Sequence, residues 1–155
     1  MQFASKEDID APIGHVFAEI TDFTRFERAA RSRGAQVERT DGLKAPGAGM
    51  SWRAKARLRG RMRDISLQLV DYDPASGIAL AAGTAMLETR ITVDLVALSR
   101  ARTRLAVEIT LGARTLAGRL VLQSLNLARS NMTRRFRLRL ADYAIGIEDR
   151  YRRAS

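Results

Sequence analysis

Residues 115–151, TLAGRLVLQSLNLARSNMTRRFRLRLADYAIGIEDRY, form the stretch that decides the fold. This stretch contains no proline, and its only glycines are Gly118 and Gly146. Its apolar side chains recur at steps of three and four, which places them on one stripe of a helix. The stripe consists of Val121, Leu122, Leu125, Ala128, Met132, Phe136, Leu140, Tyr143, Ile147 and Tyr151. The pattern predicts an unbroken helix about 55 Å long, which needs a broad apolar partner.

The partner is expected to be an antiparallel sheet, because most of the remaining chain alternates between apolar and polar residues. The clearest alternation begins at residue 50, where one face carries Met50, Trp52, Ala54, Ala56 and Leu58. Similar stretches follow to residue 111, separated by turn signals. Residues 2–10 predict an earlier strand, which Pro12 ends, and two short helices follow before Gly34. We therefore expect one α+β domain over residues 1–155, with a sheet wrapped around the C-terminal helix.

Composition excludes several classes of protein. The 155-residue chain has no cysteine, so it has no disulfide framework and no thiolate nucleophile. It has no apolar run long enough to span a bilayer, and its first residues lack the pattern of a signal peptide. These features predict a soluble cytoplasmic protein. The net charge of +10 fits either a polyanionic partner or a genome that favours arginine codons.

The order of elements resembles the START-like helix-grip superfamily, also called SRPBCC, over essentially the whole chain. The residues that carry the resemblance are Ile9-Asp10-Ala11-Pro12-Ile13, Val16-Phe17, Ile20-Thr21-Asp22 and Val70-Asp71-Tyr72-Asp73-Pro74, together with the terminal helix. Members commonly have a proline and a tryptophan after the aspartate that corresponds to Asp22, where the present sequence has Phe23 and Phe26.

The resemblance implies a hydrophobic cavity between sheet and helix that holds a lipid, a polyketide, a quinone or a similar molecule. The leading expectation is a binding or carrier protein without catalysis. A second is an enzyme of the polyketide cyclase or aromatase type, in which Arg129 and either Thr89 or a water polarise the substrate. A third is a basic module that associates with an anionic membrane or with RNA. Fold alone does not decide among them.

The sequence offers little for metal or nucleophilic chemistry. His15 is the only histidine, and its apolar neighbours point inward, so we expect it to face water. No cluster of residues has metal-ligand spacing, and no serine forms a recognisable elbow with a base. Gly47-Ala48-Gly49 leads into a strand and lacks the Lys-Ser/Thr of a phosphate-binding loop. No metal, cofactor or covalent nucleophile is predicted.

Arg129 is the sharpest candidate for a functional residue, because it falls inside the apolar stripe of the helix. A buried arginine needs a partner, since an unpaired buried charge costs several kcal/mol. Glu7, on the inner face of the first strand, would give a structural ion pair. An acidic group of the ligand is the second alternative. In the third alternative, the aliphatic part of the Arg129 side chain packs on the apolar stripe while the guanidinium reaches water.

Other candidate ligand-binding residues lie on the predicted inner face of the sheet and on the helix stripe. Methionine adapts to irregular ligands, and a buried indole needs a partner for its N–H. Each of these residues also fits plain core packing. The candidates are Met50, Trp52, Leu67, Thr89, Ile91, Leu125, Met132 and Phe136.

Two surfaces suggest further partners. The outer face of the 50–63 hairpin is predicted to carry Arg53, Lys55, Arg57, Arg59, Arg61 and Arg63. This face fits anionic lipid better than nucleic acid, because exposed aromatics for base stacking are missing, and it also fits a solvated face that deters aggregation. A second apolar line on the long helix consists of Leu116, Leu120, Leu127, Leu138 and Ile145. It fits a homodimer, a membrane surface or packing under the loop at residues 40–49.

Overall fold

The computed structural model describes residues 1–155 and contains seven strands and four helices. In chain order they are β1 (Gln2–Ile9), α1 (Ile13–Ile20), α2 (Phe23–Ser32), β2 (Gln36–Arg39), β3 (Ser51–Leu58), β4 (Arg61–Asp73), β5 (Gly77–Gly83), β6 (Leu87–Ser99), β7 (Arg102–Ala113), α3 (Leu116–Leu127) and α4 (Arg129–Ala154). This order confirms the expected α+β helix-grip arrangement.

All seven strands form one curved antiparallel sheet in the order β1-β7-β6-β5-β4-β3-β2. Strands β2 to β7 follow one another as neighbours, and β1 pairs with β7 at one edge. Helices α1 and α2 therefore carry the chain from one edge of the sheet to the other. This crossover places α2 beside β2 and β3, away from β1.

Tight turns hold the strands in register. Between β3 and β4, Arg59 and Gly60 have φ values of 53° and 78°, the left-handed conformation that two-residue hairpins require. Gly77, at the start of β5, has φ 149°, and a Cβ there would lie 2.0 Å from the carbonyl oxygen of Val93. Only glycine fits this close approach between β5 and β6.

The predicted single C-terminal helix is two helices, and this corrects the expectation of an unbroken run. The chain leaves helical geometry at Ala128 (φ −101°, ψ 14°), and its N–H bonds to the carbonyl of Leu125 at 3.0 Å, as in a tightened last turn. The nearby Asn126, Ser130 and Asn131 are weak helix formers, which favours a break here. Helix α3 is anchored through Gly118, where a Cβ would lie 2.2 Å from the carbonyl oxygen of Met86.

The second half of α4 packs the core, while α3 and the first half of α4 do not. The side chains of Leu140, Ala144 and Ile147 are buried against α1 and β1, in a core that includes Ile9 and Val16. By contrast, the other predicted stripe residues are half-buried or, at Ala128, exposed. The second apolar line is exposed along its whole length, at Leu116, Leu120, Leu127, Leu138 and Ile145, so no part of this chain covers it. None of the helices is both long and apolar enough to cross a bilayer.

Candidate functional site

A cavity of about 530 Å³ lies between the concave face of the sheet and α2. Of its 18 lining residues, 17 are hydrophobic, which makes it apolar in the way that ligand sites usually are. The lining consists of Ile20, Phe23, Phe26, Glu27, Ala30, Ala35, Val37, Trp52, Ala54, Ala56, Ile65, Leu67, Ile78, Leu80, Val93, Leu105, Val107 and Tyr143.

The floor of the cavity follows from strand alternation and register. Trp52 of β3 lies opposite Leu67 of β4, and Ala54 lies opposite Ile65. Val93 of β6 lies opposite Val107 of β7 in the same way. Because directly opposite residues point to the same face, these pairs form a continuous apolar surface. Ala54 and Ala56 of β3 both line the cavity. Their small side chains leave space above β3 that larger side chains would fill.

Helix α2 forms the roof and the rim of the cavity. Asp22 caps this helix by accepting a hydrogen bond from the Arg25 N–H at 3.2 Å. Spacing of three and four then turns Phe23, Phe26, Glu27 and Ala30 toward the cavity. No residue of α2 is fully buried, and Phe26 is 42% exposed, so this side of the cavity is its open rim.

Aromatic rings tie the rim to the sheet and to α4. The ring of Phe23 lies 5.4 Å from that of Trp52, and the ring of Phe26 lies 6.2 Å from that of Tyr143. Tilted ring pairs at these distances are favourable. The rim is therefore apolar and aromatic, although it faces solvent.

A polar network holds Trp52 in the cavity wall. Its indole Nε1–H donates to Oε2 of Glu27 at 2.8 Å, and the guanidinium carbon of Arg39 lies 5.6 Å from the ring centre. Arg39 is itself fixed by two hydrogen bonds to Asp41, at 2.7 and 2.6 Å. Asp41 also accepts hydrogen bonds from the backbone N–H groups of Leu43 and Ser51. The hydrogen bond from Arg39, with those backbone donors, holds the pKa of Asp41 well below its usual range.

Tyr143 closes the end of the cavity nearest the core. Its hydroxyl donates to the carbonyl oxygen of Glu19 at 3.4 Å. Burial, together with the nearby Glu19 carboxylate, raises the pKa of Tyr143 to about 12. Glu19 is bound by Arg150 and, at 3.3 Å, by Arg25. Tyr143 is thus a neutral phenol at physiological pH.

The structure brings together only some of the predicted ligand-binding residues. Trp52 and Leu67 line the cavity. Met50 is buried in the core, and its side chain does not line the cavity. Thr89 and Ile91 lie opposite Ala82 and Leu80 on the concave face but outside the lining. Leu125, Met132 and Phe136 are half-buried on α3 and α4, and they also lie outside it.

Arg129 does not lie in a buried stripe of the helix. Arg129 is exposed at the start of α4, where it borders a shallow surface depression with Ser130, Thr133 and Arg137. It forms no ion pair with Glu7, which is half-buried on β1. The physical reason is the break at Ala128, next to which the apolar stripe no longer faces the sheet. The guanidinium reaches water, which was one of the three alternatives.

The basic side chains of the 50–63 hairpin are exposed except for that of Arg63, which is half-buried, and they do not all share one face. Register places Arg61 opposite Leu58 and Arg63 opposite Ala56, on the concave side of the sheet. Arg53, Lys55 and Arg57 alone occupy the outer face of β3, and Arg59 lies in the turn. The predicted alternation is correct along β3. The prediction did not account for the two-residue turn, after which Arg61 and Arg63 lie on the concave face of β4.

His15 is half-buried rather than facing water. Its Nε2 lies 3.4 Å from the carbonyl oxygen of Ile147, and its ring lies 5.0 Å from that of Tyr151. Packing of α1 against α4 covers it, and that contact is not visible in the local pattern. His15 lies outside the cavity.

Glu27 and the two phenylalanines of α2 are the functional candidates that sequence reasoning missed. A signal for them existed, since Phe23, Phe26, Glu27 and Ala30 share the helical spacing that drew attention to Arg129. A carboxylate within an apolar stripe is as unusual as a guanidinium there. In a helix of 10 residues that stripe is short and easily overlooked.

Comparisons with known proteins support the fold. No protein-family model matches the sequence, and no curated protein does. Solved structures that resemble the chain over most of its length include the following three. The Zhui aromatase/cyclase from Streptomyces sp. R1128 has a TM-score of 0.67 at 14% identity, covering 97% of this chain and 94% of its own. Ara h 8.0201 has a TM-score of 0.61 at 16% identity, covering 97% of both chains.

The third is a START superfamily protein from Mycobacterium smegmatis, with a TM-score of 0.54 at 13% identity. The match covers 86% of this chain and 95% of that one. Such low identities carry information about the fold and not about the ligand. The seven-stranded sheet around the C-terminal helix, the apolar cavity under α2 and these matches together give this chain a helix-grip fold of the START-like type.

Proposed function

We propose that this protein binds a small hydrophobic molecule in the cavity under α2, without transforming it. The observation that carries the proposal is the lining, in which 17 of 18 residues are hydrophobic around about 530 Å³. A well-packed core of this size leaves few voids larger than a water molecule. A lipid, a polyketide or a quinone-like molecule has the apolar surface to fill such a space.

The carrier function is favoured over the cyclase-type enzyme by the placement of the polar groups. The enzyme hypothesis relied on Arg129 with either Thr89 or a water, and neither Arg129 nor Thr89 lines the cavity. The polar groups that do reach it, Glu27 and Tyr143, are each hydrogen-bonded to another part of the protein. Binding requires only the apolar lining, so it is the function that the geometry supports best.

Native mass spectrometry of freshly purified protein tests the proposal. We expect a fraction of the protein to carry a non-covalent adduct that is lost on collisional activation. The variant Ala56→Phe adds a ring inside the cavity and should lose the adduct. Lys55→Phe is the matched control, because its side chain points to the other face of β3. An adduct retained by Ala56→Phe but lost by Lys55→Phe would contradict the proposal.

We also propose, as a second candidate function, that the tip of the β3–β4 hairpin contacts anionic membranes. Leu58 and Met62 at this tip are 42% and 52% exposed. Leu58 lies opposite Arg61, Met62 lies opposite Arg57, and Arg59 lies in the turn between the strands. Apolar side chains ringed by basic ones fit the boundary between lipid headgroups and acyl chains. RNA is a poorer fit, because the aromatic side chain of the hairpin, Trp52, is buried.

Cosedimentation with phosphatidylcholine vesicles, with and without phosphatidylserine, tests this second function. Each basic residue near the surface contributes about 1 kcal/mol, so Arg57→Gln with Arg59→Gln should lower partitioning by roughly tenfold or more. Met62→Ser should lower it less, and Val96→Ser, which changes an exposed residue of another strand, should not lower it. Binding that is independent of phosphatidylserine, or binding to single-stranded RNA instead of vesicles, would overturn the proposal.

A further inference from the structure

We propose that Glu27 selects the ligand, favouring molecules that present a hydroxyl or N–H donor over molecules that end in a carboxylate. This inference rests on the proposed binding function and deepens it. It assigns one polar subsite to an otherwise apolar cavity. The ligand class that it specifies is an apolar ring or chain with a phenol, alcohol or amine at one end.

The subsite consists of Glu27, the one charged residue in the lining. Glu27 uses Oε2 to accept the indole N–H of Trp52 at 2.8 Å. No group of the protein donates to Oε1, and no cation lies within 4.0 Å of either oxygen. A carboxylate has room for about four hydrogen bonds, so most of its accepting capacity remains open beside the cavity.

The neighbouring Arg39 does not supply the missing donors. Arg39 lies over the indole of Trp52, 5.6 Å from the ring centre. Its guanidinium instead donates two short hydrogen bonds to Asp41. The charge of Glu27 is therefore left to solvent at the rim or to a group of the ligand.

The chemistry of an ionised carboxylate gives the selectivity its direction. The group accepts hydrogen bonds and donates none. A ligand hydroxyl or N–H forms a charge-assisted bond with Oε1, which is stronger than a bond between neutral groups. A ligand carboxylate placed there would meet the like charge of Glu27 at close range, and the two groups would repel each other. Fatty acids are thus disfavoured relative to neutral molecules of similar shape.

A purely structural role for Glu27, holding Trp52 in place, makes a different prediction. Glutamine keeps an amide oxygen that accepts the indole N–H, so Glu27→Gln preserves that hydrogen bond. If Glu27 served only Trp52, ligand selectivity would be unchanged in this variant. If Glu27 contacts the ligand directly, Glu27→Gln removes the negative charge and adds an N–H donor at that point. The variant should then bind ligands with a carboxylate more tightly than the wild type does.

Three probes of one shape separate these roles: naphthalene, 2-naphthol and 2-naphthoate, titrated at neutral pH by isothermal titration calorimetry. In the wild-type protein we expect 2-naphthol to bind about tenfold or more tighter than 2-naphthoate. In Glu27→Gln that ratio should fall by about tenfold, while naphthalene affinity changes by less than about threefold. The control is Glu38→Gln, which removes the same charge from an exposed position on β2. Unchanged emission from Trp52, the only tryptophan, verifies that the fold is kept.

The outcomes distinguish this inference from the proposed function. Failure of all three probes to bind would overturn both. Binding of all three with equal affinity, or an unchanged ratio in Glu27→Gln, would overturn the role of Glu27 and leave the cavity as a binding site. An equal fall of the ratio in Glu38→Gln would attribute the effect to net charge and also overturn the inference.

Discussion

The two ends of the space between sheet and helices differ sharply, although the same sheet forms the floor of both. At the packed end, Ile9, Leu140, Ala144 and Ile147 are at most 7% exposed. At the open end, Leu67, Leu80, Val93 and Val107 remain half-buried around the cavity. The alternation of apolar residues along the strands is the same in both places.

The difference lies in what covers the sheet. At the packed end, α4 presents buried residues at spacings of four and three, which fit against β1 and α1. At the open end, the cover is α2, which has no fully buried residue and is held beside β2 by aromatic contacts and a polar network. The cavity is therefore a property of the covering helices and not of the sheet.

The largest effect is expected from a substitution at the packed end. Ile147→Ala removes a fully buried side chain, and such changes cost about 2–5 kcal/mol because the cavity they leave collapses only in part. Urea unfolding followed by circular dichroism measures the loss. The affinity of the folded variant for naphthalene should stay within about threefold of the wild-type value.

Leu67→Ala at the open end is the matched comparison. Its side chain already borders empty space, so we expect a loss below about 2 kcal/mol, with a clear change in naphthalene affinity. Equal losses of stability in the two variants would show that the two ends are packed alike.

A smaller effect is expected at Tyr143, where α4 passes from one end to the other. Burial raises the pKa of Tyr143 from 10.0 to about 12, so the unfolded chain releases this proton first as the pH rises. The free energy of unfolding should therefore fall between about pH 10 and 12, by roughly 2 kcal/mol from this residue. Tyr143→Phe should lack this part of the fall in urea titrations. If the free energies of unfolding of the wild type and Tyr143→Phe differed by the same amount at every pH, the raised pKa of Tyr143 would be contradicted.

The smallest effect concerns the polar network at the open end. The pKa of Asp41 is held below its usual range by Arg39 and by backbone donors. The unfolded chain therefore takes up this proton first, and the stabilisation is present above about pH 4 and lost as the pH falls further. Asp41→Asn should show a shallower loss of stability in acid than the wild type. An identical acid profile in the two proteins would mean that the network does not stabilise the loop.

The fold was predictable because its signals are long and repeated. Alternation over residues 50–111 predicts a succession of hairpin-connected strands without any knowledge of contacts between distant residues. The confirmed helix-grip arrangement also follows from the simple requirement that an apolar sheet face be covered. A single break was missed at Ala128, where weak helix formers interrupt an otherwise continuous pattern.

The candidate site was less predictable, because it depends on which part of which helix covers the sheet. Trp52 and Leu67 were placed correctly by alternation, which is a local property. Arg129 was misplaced by assuming one straight helix, and Glu27 was overlooked in a short one. Both errors concern the packing of helices, which is decided by contacts between residues far apart in the sequence.

The most direct test of the account is methyl NMR of the labelled protein during a titration with naphthalene. We expect saturable chemical-shift changes at methyl groups that line the cavity, such as those of Leu67, Leu80, Val93 and Val107 at the open end. The methyl groups of Ile9, Leu140 and Ile147 should not shift, because no space exists beside them. Shifts that are largest at the packed end, or the absence of any saturable shift, would contradict the claim that the space under α2 is a binding site.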